Sequence, residues 1–181
     1  MIDWIFHSNE SYDKSLTAEL FDTTLGSMIA ISDCECIYLL EFLDSKWLER
    51  KINALKVNCK ALITLGNTDV IGSIKDELTS YFNGTLKCFN TPVHVLGSPF
   101  QHLTWNELRN IGYGQTRAYS TQAAAIGMIN SVRAVANANS ANPITIVIPC
   151  HRVINKDGNI CGYSGGIKRK QWLLTHEQNN C

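Results

Sequence analysis

Two β-rich runs set the frame for the first half of the chain: Ser27-Met28-Ile29-Ala30-Ile31-Ser32 and Cys36-Ile37-Tyr38-Leu39-Leu40-Glu41-Phe42. A polar Asp33-Cys34-Glu35 turn separates them, so they predict a hairpin with one or both faces buried. Helical spacing follows in residues 45–56, with Trp47, Leu48, Ile52 and Leu55 behind a Ser45 that can cap, and again in residues 69–82 before Asn83-Gly84 stops it. A small α+β domain is the expectation for residues 1–97.

The second half reads differently. Pro99 can open a helix through Phe100, Leu103, Trp105 and Leu108 that ends at Gly112-Tyr113-Gly114. Ser120 can cap a short helix through Ala123 to Gly127, and Asn130 or Ser131 can cap another through Val132 and Val135 toward Ala138. Small alanines let such a pair approach closely, which is helix-turn-helix spacing but is shared by helix pairs that never touch DNA. Charge divides at the same place. Residues 1–97 hold 8 Lys+Arg against 13 Asp+Glu, and residues 98–181 hold 8 against 3. The basic half is the one a polyanion would bind, unless the segregation serves contact between the halves.

At 181 residues and 45% apolar the chain can bury a core, and no run reaches the roughly 18 apolar residues of a membrane span. Met1-Ile2-Asp3-Trp4 lacks the basic-then-apolar plan of a secretion signal, and the seven cysteines lack the spacing of a disulfide framework. A reduced, cytoplasmic, membrane-free protein is expected. Cys34 and Cys36 are closer than the usual zinc pair and no second pair follows; a half-buried strand is the other reading. Nothing in the sequence brings His7 or His94 to them.

Chemistry concentrates near the C-terminus. Ile144-Thr145-Ile146-Val147-Ile148 predicts a buried strand that delivers Pro149-Cys150-His151-Arg152 at its end. An ordinary thiol is only about 3% thiolate at pH 7, and the thiolate is the nucleophile. His151 can take the thiol proton, directly or through a water, if a carboxylate sets its tautomer. Glu177, in a predicted helix over residues 168–177, is the candidate; Glu107 and Asp157 are the other carboxylates of this half. The same residues also fit a buried apolar Cys and a solvated helix end.

Pro149 to Ile154, then Gly162-Tyr163-Ser164-Gly165-Gly166 and Lys170-Gln171-Trp172-Leu173-Leu174-Thr175-His176-Glu177, closely resemble the O6-alkylguanine-DNA alkyltransferase family. The likeness runs without a gap over residues 98–177, through Phe100-Gln101, Trp105, Tyr113-Gly114, Tyr119, residues 132–135 and Asn142-Pro143. It is looser in the first half, resting on the strand pattern, Thr24-Leu25-Gly26 and Tyr81-Phe82-x-Gly84.

The resemblance implies a ribonuclease H-like α/β domain over residues 1–97. Residues 98–181 then form a mainly helical domain with a helix-turn-helix. It implies that Cys150 accepts the alkyl group of a flipped-out O6-alkylguanine, and of O4-alkylthymine, once and irreversibly, with no cofactor and no metal. His151 is then the base, Glu177 its anchor, Asn142 the brace of the turn before the active-site strand, and Tyr119 the phenol near guanine and the rotated phosphate. Arg133 fills the gap left in duplex DNA bound through its minor groove, with Ser120, Ser131 and Ala134 lining the contact. Val153, Tyr163, Ser164 and Pro149 form the base pocket, with carbonyls near Cys150 and Val153 taking the exocyclic amine. A monomer without an obligate protein partner is implied.

Gln122, Thr104 and Gly112 depart from the family pattern, which bears on helix packing and not on the reaction class. A lesion-binding module without chemistry and a cysteine hydrolase built on Cys150, His151 and Glu177 are the competing readings. An operator-reading regulator would need base-reading side chains where this chain has mostly alanine.

Overall fold

The structure, a computed structural model, describes Ile5 and residues 12–181. Strands β1 (Lys14–Thr23), β2 (Gly26–Ser32) and β3 (Ile37–Phe42) form an antiparallel meander, and β4 (Ala61–Leu65) lies parallel to β1 at the sheet edge, in the order β3-β2-β1-β4. A parallel return needs a crossover, and α1 (Leu48–Cys59) supplies it. Helix α2 (Asp69–Phe82) follows, its start fixed by Thr68 Oγ1 accepting from Ile71 N at 3.1 Å.

The expected hairpin is present as β2 and β3, and both of its faces are covered. Ile29, Ile31 and Leu39 pack with Ile52 and Leu55 of α1, whereas Met28, Ala30, Leu40 and Phe42 share a core with Ile71, Ile74 and Leu78 of α2. That second core also takes Trp105, Leu108, Ile144, Ile148 and Leu173, so the two halves of the chain are joined by one apolar interior. Burial on both faces explains why these strands read as continuous apolar runs.

The second half comprises α3 (Pro99–Arg109), β5 (Arg117–Ala118), α4 (Tyr119–Ala125), α5 (Val132–Ser140), a 3-10 turn (Cys150–Arg152), β6 (Val153–Ile154) and α6 (Ile167–Asn179). Ser98 and Gln101 cap α3 reciprocally. Ser120 does not cap α4: the helix starts two residues earlier, with Ala118 at the cap and Ser120 inside the first turn. Ser131 does stand at the cap of α5, without a side-chain hydrogen bond. Gln122 and Thr104 are fully buried and satisfied. Gln122 exchanges amide hydrogen bonds with Asn139 of α5 at 2.7 and 3.2 Å and donates to Thr104 O of α3 at 3.2 Å, so one amide pair ties three helices.

The predicted strand over residues 144–148 is instead a buried turn. Asn142 explains it: its Oδ1 accepts from Ile144 N at 3.0 Å and its Nδ2 donates to Ile148 O at 2.8 Å, and Ile148 N returns to Ile144 O at 3.0 Å. These bonds fold the backbone on itself. Ile146 consequently sits at φ 73°, a conformation that costs a β-branched residue about 1–3 kcal/mol. The run is apolar because Ile144, Ile146 and Ile148 are each at most 1% exposed, and its tie to the sheet is a single bridge between Ile144 and Leu40 of β3.

Candidate active site

Cys150 opens the 3-10 turn directly after that folded segment, and its side chain is 5% exposed. Asn142 Nδ2 donates to Sγ at 3.3 Å, so the residue that shapes the turn also touches the thiol. Burial pushes the thiol above its ordinary value, against the Asn142 hydrogen bond and the charges of Lys51 and Lys170. At rest the sulfur is therefore protonated.

The next residue is anchored on α6. His151 is fully buried with Nε2 2.8 Å from Glu177 Oε1 of α6, while Nδ1 is buried and has no hydrogen-bond partner among the described residues. Burial pushes the imidazole below its ordinary value, which outweighs the attraction of Glu177 and leaves the ring neutral at pH 7. A carboxylate can only accept, so the proton of the neutral ring sits on Nε2 and Nδ1 is the basic atom.

Glu177 is fully buried and accepts from four groups besides His151: Tyr81 Oη at 2.7 Å, Gly114 N at 3.2 Å, and Arg152 Nε and Nη2 at 2.8 and 3.0 Å. Burial alone would push its carboxyl up, but the hydrogen bond from His151 and the hydrogen bonds and charge of Arg152 hold it well below the usual carboxylate range. It is an ionised anchor throughout the neutral range.

A cleft of about 570 Å³ opens between α4, α5 and the loop after β6, and Cys150 is not among the residues that line it. Tyr119, Ser120 and Arg133 line it together with Asn155, Cys161 and Gly162. Ala134 and Ser131 do not line the cleft; Ala134 is exposed on α5. Burial holds the Tyr119 phenol in its protonated form, well above the ordinary value. Pro149 and Val153 are buried, and Tyr163 Oη and Ser164 Oγ are buried without hydrogen-bond partners among the described residues, the Tyr163 ring standing edge-on to His151 at 6.4 Å. A side chain at Gly165 would strike the Tyr163 ring at 2.7 Å, and Gly166 adopts φ +94° at the start of α6, so both glycines are required by close approach and turn.

Four side chains of the site were given no role from the sequence. Lys170 is fully buried, with Nζ donating to the carbonyls of Val153, Cys161 and Gly162, so the Val153 carbonyl expected to meet a ligand amine already serves the lysine. Tyr81 and the Lys51–Glu41 pair come from the first half of the chain, and their link to Glu177 and Asn142 spans too much sequence to leave a local signal. Among the described residues no three His, Cys, Asp or Glu side chains converge on a metal position. His94 packs on Tyr38 at 4.9 Å, and His7 lies outside the described residues. No helix among the described residues is long and apolar enough to cross a membrane.

The model of the 6-O-methylguanine DNA methyltransferase DNA-binding domain matches residues 99–179. The fold of Mycobacterium tuberculosis OGT in complex with DNA superposes with a TM-score of 0.77, at 31% identity over 92% of this chain and 94% of that one. The chain belongs to the O6-methylguanine-DNA methyltransferase family. A second family structure, from Pyrococcus kodakaraensis, gives 0.65 at 25% identity over 90% and 98% of the two chains. The methylated-DNA-protein-cysteine methyltransferase of Shigella flexneri is 47% identical over 107 residues, 59% of this chain and 63% of that protein. The Salmonella typhimurium protein of the same name is 48% identical over the same lengths, so these curated relatives are matched over less than two thirds of their length.

Proposed function

We propose that this chain repairs duplex DNA by transferring the alkyl group of O6-alkylguanine, and of O4-alkylthymine, to Cys150 Sγ in a single irreversible turnover. The observation that carries the reading is the pairing of a buried thiol on Asn142 with a buried imidazole whose Nδ1 is unpartnered and whose Nε2–H is taken by Glu177. The family relative bound to DNA and the basic second half support a DNA partner.

Helices α4 and α5 act as a helix-turn-helix in the minor groove, where exposed Ala134 permits close approach and Ser120 and Ser131 contact the backbone. Arg133 enters the stack as the damaged nucleotide turns out, offsetting the few kcal/mol of unstacking. The base seats over Cys150 among Tyr163, Ser164, Val153 and Pro149. The thiol passes its proton to His151 Nδ1, directly or through a water, and Sγ forms a bond to the alkyl carbon. The bond from that carbon to O6 breaks, its electron pair stays with the base, and Tyr119 delivers a proton as guanine departs. The thioether has no leaving group that would restore the thiol, so each molecule acts once.

Residues 1–97 form a ribonuclease H-like domain, residues 98–181 the reacting domain, and the protein works as a cytoplasmic monomer. With excess duplex containing O6-methylguanine, restored guanine stops at one equivalent per protein. Continued turnover, or full activity of Cys150→Ser, contradicts the reading.

A further inference from the structure

The first half of the chain places an ion pair against the thiol's partner. Glu41 is the one charged residue of the otherwise apolar β3 and is fully buried. Its carboxylate accepts from Lys51 Nζ of α1, from Thr145 Oγ1 at 3.1 Å and from Phe42 N at 3.0 Å. Lys51 Nζ spends a second hydrogen bond on the Asn142 carbonyl at 2.6 Å, across 91 residues of sequence. The flanks of Asn142 are already held by backbone bonds to β3, Leu40 N to Pro143 O at 2.9 Å and Thr145 N to Leu40 O at 2.8 Å.

A buried ion pair is a poor device for stability alone, since apolar side chains of the same size serve as well or better. What they cannot do is donate to a carbonyl. Asn142 is fully buried, and its amide holds Cys150 Sγ at 3.3 Å. We infer that Lys51, held by Glu41, is a positioning residue for the reactive thiol, acting from the first half of the chain through Asn142. This rests on the functional reading above only in naming Cys150 as the reacting group. The positive charge also stands close enough to favour the thiolate, and its influence exceeds the opposing one of Glu41.

The test uses the full chain with Lys51→Met and with the pair Glu41→Gln and Lys51→Met, which leaves no buried charge alone and so keeps the fold in hand. Alkylation of Cys150 by iodoacetamide is followed by peptide mass across the neutral and alkaline range, beside thermal melting and the rate with free O6-benzylguanine. In the doubly substituted chain the limiting rate falls about tenfold, the magnitude of a small misplacement of a reacting atom, with melting close to the parent. The pH midpoint of alkylation moves up. A doubly substituted chain with the parental limiting rate and midpoint overturns the inference. Because iodoacetamide needs no DNA, a parent protein that failed to repair DNA would strike the functional reading and leave this result to be judged on its own.

Discussion

His151 Nε2 and Glu177 Oε1 stand 2.8 Å apart in a fully buried contact, and the other ring nitrogen, Nδ1, has no hydrogen-bond partner among the described residues. Glu177 also neutralises Arg152, so its loss strands a buried guanidinium. Glu177→Gln is expected to lose about 3–5 kcal/mol of stability in urea unfolding, the range for breaking a buried pair. Alkyl transfer slows with it, while duplex affinity holds. Because the folded carboxyl lies below its unfolded value, its stabilisation is complete above the ordinary carboxylate range and is lost as pH falls below it. The substituted chain therefore shows a flatter acid limb than the parent, and an unchanged limb would remove Glu177 from this role.

A neutral thiol beside a neutral imidazole predicts a plateau. Burial disfavours the charged form of each, pushing His151 down from 6.5 and Cys150 up from 9.0, so neither group changes charge through neutral pH. Single-turnover rates with O6-benzylguanine should be level there and drop only at pH below 6.5. His151→Gln should replace the plateau with a rate that climbs as the thiol ionises in alkali. An inflection at or above 6.5 in the parent would show that the ring is charged at rest.

Local features were the legible ones. Residues 69–82 form the predicted helix because a capping Thr68 and a terminating Asn83-Gly84 bracket a 3.6-residue period. Cys150, His151, Arg152 and Glu177 stood out by residue type and motif. Strands β1 and β4 did not, since β1 is only partly buried and its parallel partner lies beyond two strands and a helix. Residues 144–148 misled because burial on every side and a buried strand leave the same apolar signature, and the Asn142 side-chain bonds that decide between them are invisible in a pattern of hydrophobicity. The ties of Tyr81 and Lys51 to the site follow from packing the halves together.

The Gln122–Asn139 pair makes a stability prediction. Either side chain alone in the helix interface leaves a buried amide unsatisfied, at about 1–3 kcal/mol. Gln122→Leu and Asn139→Leu should each destabilise by that amount, and the two together by clearly less than the sum. Additive losses in a urea double-mutant cycle would show that the exchange of hydrogen bonds at 2.7 and 3.2 Å contributes no coupling.

Arg133 lines the cleft from the exposed face of α5. With the flipping role proposed for it, Arg133→Ala should slow repair of duplex substrate far more than reaction with free O6-benzylguanine, which has no stack to leave. Equal losses on the two substrates would take that role away.

The most direct measurement of the central claim is the intact mass of the protein, with peptide mapping, after incubation with excess O6-methylguanine duplex. Cys161 lines the same cleft and is half-buried, so position as well as count is informative. The account predicts one added CH2 group, on Cys150, and no further change with time. A methyl group on Cys161, more than one adduct, or repaired DNA with unmodified protein would contradict it.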